Sequence, residues 1–298
     1  QTSLVGSEMC IRDSNNTDDI NDDIVEFNNI NIEIQKTPLI KNPVHHYSIL
    51  NSSNGKIGYL MYNQFVSNYD QYLESIFSEY KSNSVNELIL DLRYNPGGSI
   101  NSALILASLI TGQFENDIFN TEEWNTEIQN YWINNNPEYL VNRFLSLESS
   151  LNLNRVFILT TRSSASASEL IINCLDPYID VIQIGTTTYG KYQASVTLYD
   201  SENFSNQNIN PSHNYAIQPL VLKTLNVLGI TDYFNGINPE YDFEEKVYNM
   251  GIIGDLNEPM LNFAMGLINS RAEINIQPET LEFVDDNFKF DFLKREMY

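Results

Sequence analysis

The chain has 298 residues, 42% of them hydrophobic, which is enough for one large domain or for one domain with a small appendage. A formal net charge of -23 and a pI near 4.3 speak against a nucleic-acid partner, whose phosphates need clustered Lys and Arg, and favour neutral or basic substrates. Two distant cysteines, Cys10 and Cys174, exclude a disulfide framework or a cysteine zinc site, and no apolar run reaches the roughly 18 residues of a membrane span.

Residues 1–14 fit nothing that follows, and the run 3–14 resembles a translated sequencing-adaptor artefact, so it is set aside from fold reasoning. Residues 15–23 are rich in Asn and Asp and read as a loop; 24–34 alternate apolar and polar residues like a strand. Residues 56–65 open the core as a strand, and Tyr72, Ile76, Phe77 and Tyr80 mark the apolar face of a helix. Residues 87–93 form a buried strand ending in Asn95-Pro96-Gly97-Gly98, after which Ile100, Leu104, Ala107, Leu109 and Ile110 trace a helix closed by Gly112. Residues 121–147, with Trp124, Ile128, Tyr131, Trp132, Tyr139, Val141 and Phe144, read as an aromatic-rich helical segment packing as core or as a cap.

Residues 156–160 are a short β-rich run, and from Ser166 the positions Leu170, Ile171, Cys174 and Leu175 recur at helical steps until Pro177. A strand therefore feeds a helix whose first turn holds Ser166. A second buried strand, 182–185, delivers Thr188-Tyr189-Gly190-Lys191. Beyond Val196 to Tyr199 lie a polar loop at 201–214, a strand at 215–225, Gly236-Ile237-Asn238-Pro239 with Asp242, and a helix at 256–268. The tail from Arg271 is mixed and charged, with Phe283, Phe288, Phe290 and Phe292 available to dock it.

The placement of Ser166 has chemical consequences. Free N–H groups at a helix start stabilise a nearby oxyanion, and the alanines on either side leave room for a substrate backbone. A serine hydroxyl needs a base, and lysine serves only when neutral; about one in a few thousand is neutral at pH 7, while burial can lower its pKa by roughly 3 to 5. The tandem glycines at 97 and 98 let a backbone approach a ligand with N–H groups outward. Each feature also has a plain alternative: a serine helix cap, a surface lysine, a tight turn.

Other chemistries fit poorly. His45, His46 and His213 are the only histidines, and no Gly-x-Ser-x-Gly elbow accompanies them. The acidic pairs Glu122/Glu123 and Glu244/Glu245 read as solvated faces, and no metal site is assigned. Glu169, three residues into the helix, reads first as a capping-box residue and second as a group orienting the site.

The run Ser164-Ala165-Ser166-Ala167-Ser168-Glu169, with Tyr189-Gly190-Lys191 ending 25 residues past Ser166, resembles the C-terminal-processing (tail-specific) serine peptidases, bacterial and Bacteroidetes-like. Leu90-Asp91-Leu92-Arg93 with Asn95-Pro96-Gly97-Gly98 and the later Gly-Ile-Asn-Pro segment add to the likeness, which covers roughly residues 55–268. The resemblance implies an α/β, crotonase-like mixed β-sheet core flanked by helices, and an endopeptidase in which Ser166 is the nucleophile and Lys191 the general base. It implies an oxyanion hole from Ala167 and either Gly97 or Gly98, no cofactor and no metal, and a protein or peptide substrate. Several members carry an aspartate eleven residues past the nucleophile, where this chain has Pro177 beside Asp176. Many carry a glutamine four residues past the lysine, where it has Ser195, with Gln193 nearby. Asp176, Gln193, Ser195 and Glu169 are therefore the candidate supporting residues.

The family also implies extracytoplasmic location and a preceding PDZ module. The expected organisation is 1–14 artefact, 15–47 linker and trailing edge of that module, 48–270 catalytic core and 271–298 tail. The competing reading from another class is a catalytically silent peptide- or lipophile-binding module on the same scaffold, which would have no need of both Ser166 and Lys191.

Overall fold

The computed structural model describes residues 41–269, together with the short strands β1 (Leu4–Val5) and β2 (Glu33–Ile34). The chain divides into a unit at Gln1–Lys41, where β1 and β2 pair antiparallel, and a unit at Asn42–Tyr298, which holds everything below. The remainder of the strand expected at 24–34 and the tail from 271 lie outside the described residues.

The larger unit is built on a six-stranded mixed sheet. Its strands are β3 (Val44–Ser52), β4 (Gly55–Tyr62), β5 (Val85–Asp91), β8 (Arg155–Thr160), β9 (Asp180–Gly185) and β14 (Tyr241–Asp242), in the order β14-β9-β8-β5-β4-β3. Only the β3–β4 hairpin is antiparallel; β4, β5, β8, β9 and β14 run parallel. The core sheet thus begins at Val44, a few residues ahead of the boundary read from sequence.

Both faces of this sheet are covered, which is why β4 reads as an apolar run without alternation. Leu60, Tyr62, Leu88, Leu90, Val156 and Ile158 pack with α1 (Asp70–Ser82), α2 (Ile100–Ile110) and α4 (Ala167–Leu175). Ile57, Tyr59, Met61, Ile89, Phe157 and Leu159 pack with α5 (Pro259–Asn269) on the other side. In α1 the inward face is Leu73, Ile76, Phe77 and Tyr80; Tyr72, expected there, is 38% exposed because it lies one residue off that stripe.

The segment 121–147 is not one helix. It contributes β6 (Ile118–Trp124), α3 (Thr126–Asn135) and β7 (Val141–Arg143), joining β10 (Gln193–Ser195) and β13 (Leu220–Leu225) in an antiparallel sheet ordered β10-β13-β6-β7. Here the aromatic spacing misled, since Trp124 sits on a strand, Tyr131 and Tyr139 are exposed, and Phe144 alone enters the main core. The strand expected at 215–225 is also two pieces, β12 (Ala216–Ile217), paired with β11 (Leu198–Tyr199), and β13, because Pro219 offers no N–H to a ladder.

A buried ionic cluster fastens the end of β5 to the start of α5. The Arg93 guanidinium, with no exposed surface, meets Asp91 at 2.7 Å, Glu245 at 2.8 Å and Glu258 at 3.0 Å. Glu258 also accepts from the N–H groups of Met260 and Leu261, capping α5, and Tyr59 donates to Asp91.

Candidate active site

Parallel strands deliver their loops to one sheet edge, and the turns after β5, β8 and β9 meet there. The turn after β8 carries the serine-rich run, whose three serines divide by role. Ser164 and Ser168 are fully buried: Ser164 Oγ donates to the Leu92 carbonyl at 2.7 Å and Ser168 Oγ to that of Asn95 at 2.9 Å. They bolt this turn to the one after β5. Ser166, between them, is half-buried at the entrance to α4 with φ 57° and ψ -112°. A β-carbon in that region costs on the order of 1–3 kcal/mol and persists only when the surroundings hold it.

The turn after β5 is shaped by Asn95, which the sequence reading passed over as part of a motif. Its Nδ2 donates to the Tyr62 carbonyl at 2.7 Å, its own carbonyl accepts from Ala165 N–H at 3.0 Å, and its Oδ1 accepts from Gly97 N–H at 2.8 Å. The Gly97 N–H is therefore already used. Among the described residues neither the Gly98 N–H nor the Ala167 N–H has an acceptor, the latter because the first residue of a helix has none within it. Gly97 must be glycine: at φ +105°, an added Cβ would lie 2.6 Å from Ser166 Cβ and 2.8 Å from the Ala165 carbonyl.

Glu169 joins the turn after β8 to the turn after β9. Fully buried, its Oε2 accepts from the backbone N–H of Ser166 and of Lys191, each at 2.8 Å. Its Oε1 accepts from the Thr188 hydroxyl at 2.6 Å and from Gly190 N–H at 2.5 Å. Because Ser166 and Lys191 share one carboxylate oxygen, their backbone nitrogens are no more than twice 2.8 Å apart. Burial pushes the Glu169 carboxyl above its ordinary range, while the four hydrogen bonds, led by that of Thr188, pull it back.

Lys191 is half-buried, and among the described residues its Nζ makes no hydrogen bond or ion pair. Its loop is steadied from outside by Thr188, which exchanges bonds with the backbone of Ile237, and by Arg162, which donates to the Thr188 carbonyl at 2.7 Å. The other candidates fall elsewhere. Asp176 caps the far end of α4 and is exposed; Gln193 and Ser195 lie on β10 beyond Lys191, the former exposed.

Residues 56–209, just over half of the chain, match the model of peptidase family S41. The chain belongs to this family. A protein named as a CtpA-like serine protease of Staphylococcus epidermidis is 28% identical over 151 residues, 51% of this chain and 28% of that one. The carboxyl-terminal-processing protease of a Picosynechococcus strain is 25% identical over 161 residues, 54% of this chain and 35% of that one. The chain thus spans about a third or less of the length of these relatives. A Bacteroides fragilis protein described as an S41 protease superposes with a TM-score of 0.66 at 28% identity, covering 80% of this chain and 62% of that one. The photosystem II D1 C-terminal processing protease shares the fold at a TM-score of 0.54 and 16% identity, over 80% of this chain and 56% of that one. The mixed sheet flanked by helices is therefore the architecture of S41 protease structures.

Proposed function

We propose that this chain is a serine endopeptidase of the C-terminal-processing type, hydrolysing peptide bonds through Ser166 and Lys191. The observation that carries the reading is the single Glu169 oxygen holding the backbones of both residues. The neutral Lys191 amine takes the hydroxyl proton as Ser166 Oγ attacks the scissile carbonyl carbon. Negative charge collects on the carbonyl oxygen, where the N–H groups of Gly98 and Ala167 receive it; the bond from Gly97 N–H to Asn95 Oδ1 favours Gly98 over Gly97 as the donor. The Lys191 ammonium returns the proton to the leaving amine as the C–N bond breaks, leaving an acyl-enzyme on Ser166. Water then attacks that ester with Lys191 again as base, releasing the new C-terminal carboxylate and restoring the hydroxyl.

The core is taken as crotonase-like, residues 15–47 as including the trailing edge of a PDZ module, and the site of action as extracytoplasmic, all three from the family resemblance of the sequence. A serine-directed acylating probe tests the chemistry: labelling of the native chain and none of Ser166→Ala or Lys191→Ala is expected. Equal labelling of Ser166→Ala removes the catalytic claim.

A further inference from the structure

We propose that the outer edge of β10, at Gln193, takes the main chain of an extended polypeptide substrate as an added strand, and that proline is thereby excluded at the substrate residue paired there. The inference deepens the hydrolytic reading and rests on it for the position of the scissile bond.

β10 is the end strand of its sheet, and among the described residues no strand lies on its far side. The register decides which main-chain groups face that side. Gln193 stands opposite Lys223 and Ala194 opposite Leu222, and one step back the Tyr192 carbonyl accepts from the Thr224 N–H at 3.4 Å. Bonded and unbonded pairs alternate along an antiparallel ladder, so Gln193, next in line, turns both its N–H and its carbonyl away from β13. Neither group has a main-chain partner outside the sheet among the described residues, and Gln193 is exposed. By the same alternation Lys191 faces the side that Gln193 faces. There its N–H meets Glu169 Oε2, the oxygen that also holds the Ser166 N–H. The edge at Gln193 therefore continues, two residues and about 7 Å further on, the line that joins Lys191 to Ser166.

The occupant follows from how little edge there is. The register shifts between Ala194 and Ser195, so the ladder offers one open pair, the N–H and carbonyl of Gln193. Two bonds are too few to hold a second copy edge to edge, whereas a substrate strand is held at its scissile carbonyl as well. Exposed edges are commonly guarded by charge or proline, yet in a chain of net charge -23 residues 192–199 carry neither. The Gln193 carbonyl can accept only from a substrate residue that has an N–H, and proline has none.

Residue-resolved amide hydrogen exchange tests this in the full chain carrying Ser166→Ala, alone and with unfolded β-casein as the probe polypeptide. The Gln193 amide should exchange fast alone and about tenfold or more slowly with casein, while the Ala194 amide, on the bonded side, stays slow in both. Gln193→Pro removes the N–H at a place where an edge tolerates proline, and should lower kcat/KM for casein about three- to tenfold, the worth of one hydrogen bond. Casein fragments cut by the native chain, sequenced by mass spectrometry, should lack proline at one position about two residues from the cut. The proposal is overturned if casein leaves Gln193 exchange unchanged, if a folded Gln193→Pro chain cuts casein as the parent does, or if proline occurs at every position near the cut. It is overturned equally if the amide is protected without casein in proportion to chain concentration, which would make the occupant a second copy. The hydrolytic reading fails separately, when the native chain neither cuts casein nor takes the acylating probe, and the exchange measurement still reads the edge in that case.

Discussion

Glu169→Gln is the sharpest perturbation available, because it keeps the shape of the side chain and changes only what it can accept. The four groups around the carboxylate are three N–H donors and one hydroxyl, at 2.5–2.8 Å. A glutamine nitrogen placed at Oε1 can donate to the Thr188 oxygen but faces the Gly190 N–H; placed at Oε2 it faces both Ser166 and Lys191. At least one buried donor is orphaned in either case, at about 1–3 kcal/mol, and the surviving bonds lose their charge assistance. A total near 2–4 kcal/mol follows. Expressed as misplacement of Lys191 relative to Ser166, at about 1.4 kcal/mol per decade, it lowers kcat roughly 30- to 1000-fold. Hydrolysis of a fluorogenic peptide, read beside urea unfolding, measures both parts. A variant with kcat within about threefold of the parent would refute the claim that this carboxylate sets the site's geometry.

The same residue predicts a pH effect. Its folded-state pKa is raised, so the native chain holds the proton more tightly than the unfolded one, and stability relative to Glu169→Gln should fall as pH rises from the ordinary carboxylate range through the raised value, then level off. Urea midpoints of the two proteins across about pH 4 to 8 would show it; a difference rising with pH would contradict it. Ser166→Gly should abolish hydrolysis while raising stability by about 1 kcal/mol, since it relieves a positive φ; calorimetric melting that moves downward would show the residue is unstrained. Gly97→Ala should cost about 1–3 kcal/mol and most activity, whereas Gly229→Ala, with nothing within 4 Å, should cost only its backbone penalty. Arg93→Met strands the buried Asp91 and Glu258 and should destabilise by about 3–5 kcal/mol in denaturant titration; a loss under about 1 kcal/mol would show that the cluster is not holding α5.

How much of this was legible in the residues depended on whether the signal was local. The central strands and α1, α2, α4 and α5 announce themselves because their partners cover them on predictable faces, so apolar runs and helical steps map directly onto burial. The segment 121–147 failed for the opposite reason. Its aromatics serve two structures, a strand paired to distant β13 and a helix with no buried residues, and β13, one of the two antiparallel partners of β6, lies about a hundred residues away in sequence, beyond any window. At the site, the positions of Ser166, Lys191 and the tandem glycines could be named from their turns. The identity of the free donor could not, because it depends on an Asn95 side chain folding back two residues to occupy Gly97.

The serine-rich run illustrates why composition is a weaker guide than connection. Three hydroxyls two residues apart are equivalent on paper, yet the fold spends the outer two on the Leu92 and Asn95 carbonyls. Those bonds are what permit the strain at the middle one: with Ala165 N–H held by Asn95 and Ser166 N–H held by Glu169, the turn has no freedom to relax into an ordinary helix start. Glu169 then does for the Lys191 loop what the outer serines do for the Ser166 turn, fixing its backbone. Ser166 and Lys191 are thus brought together through their main chains, with the cost of holding them carried by buried neighbours.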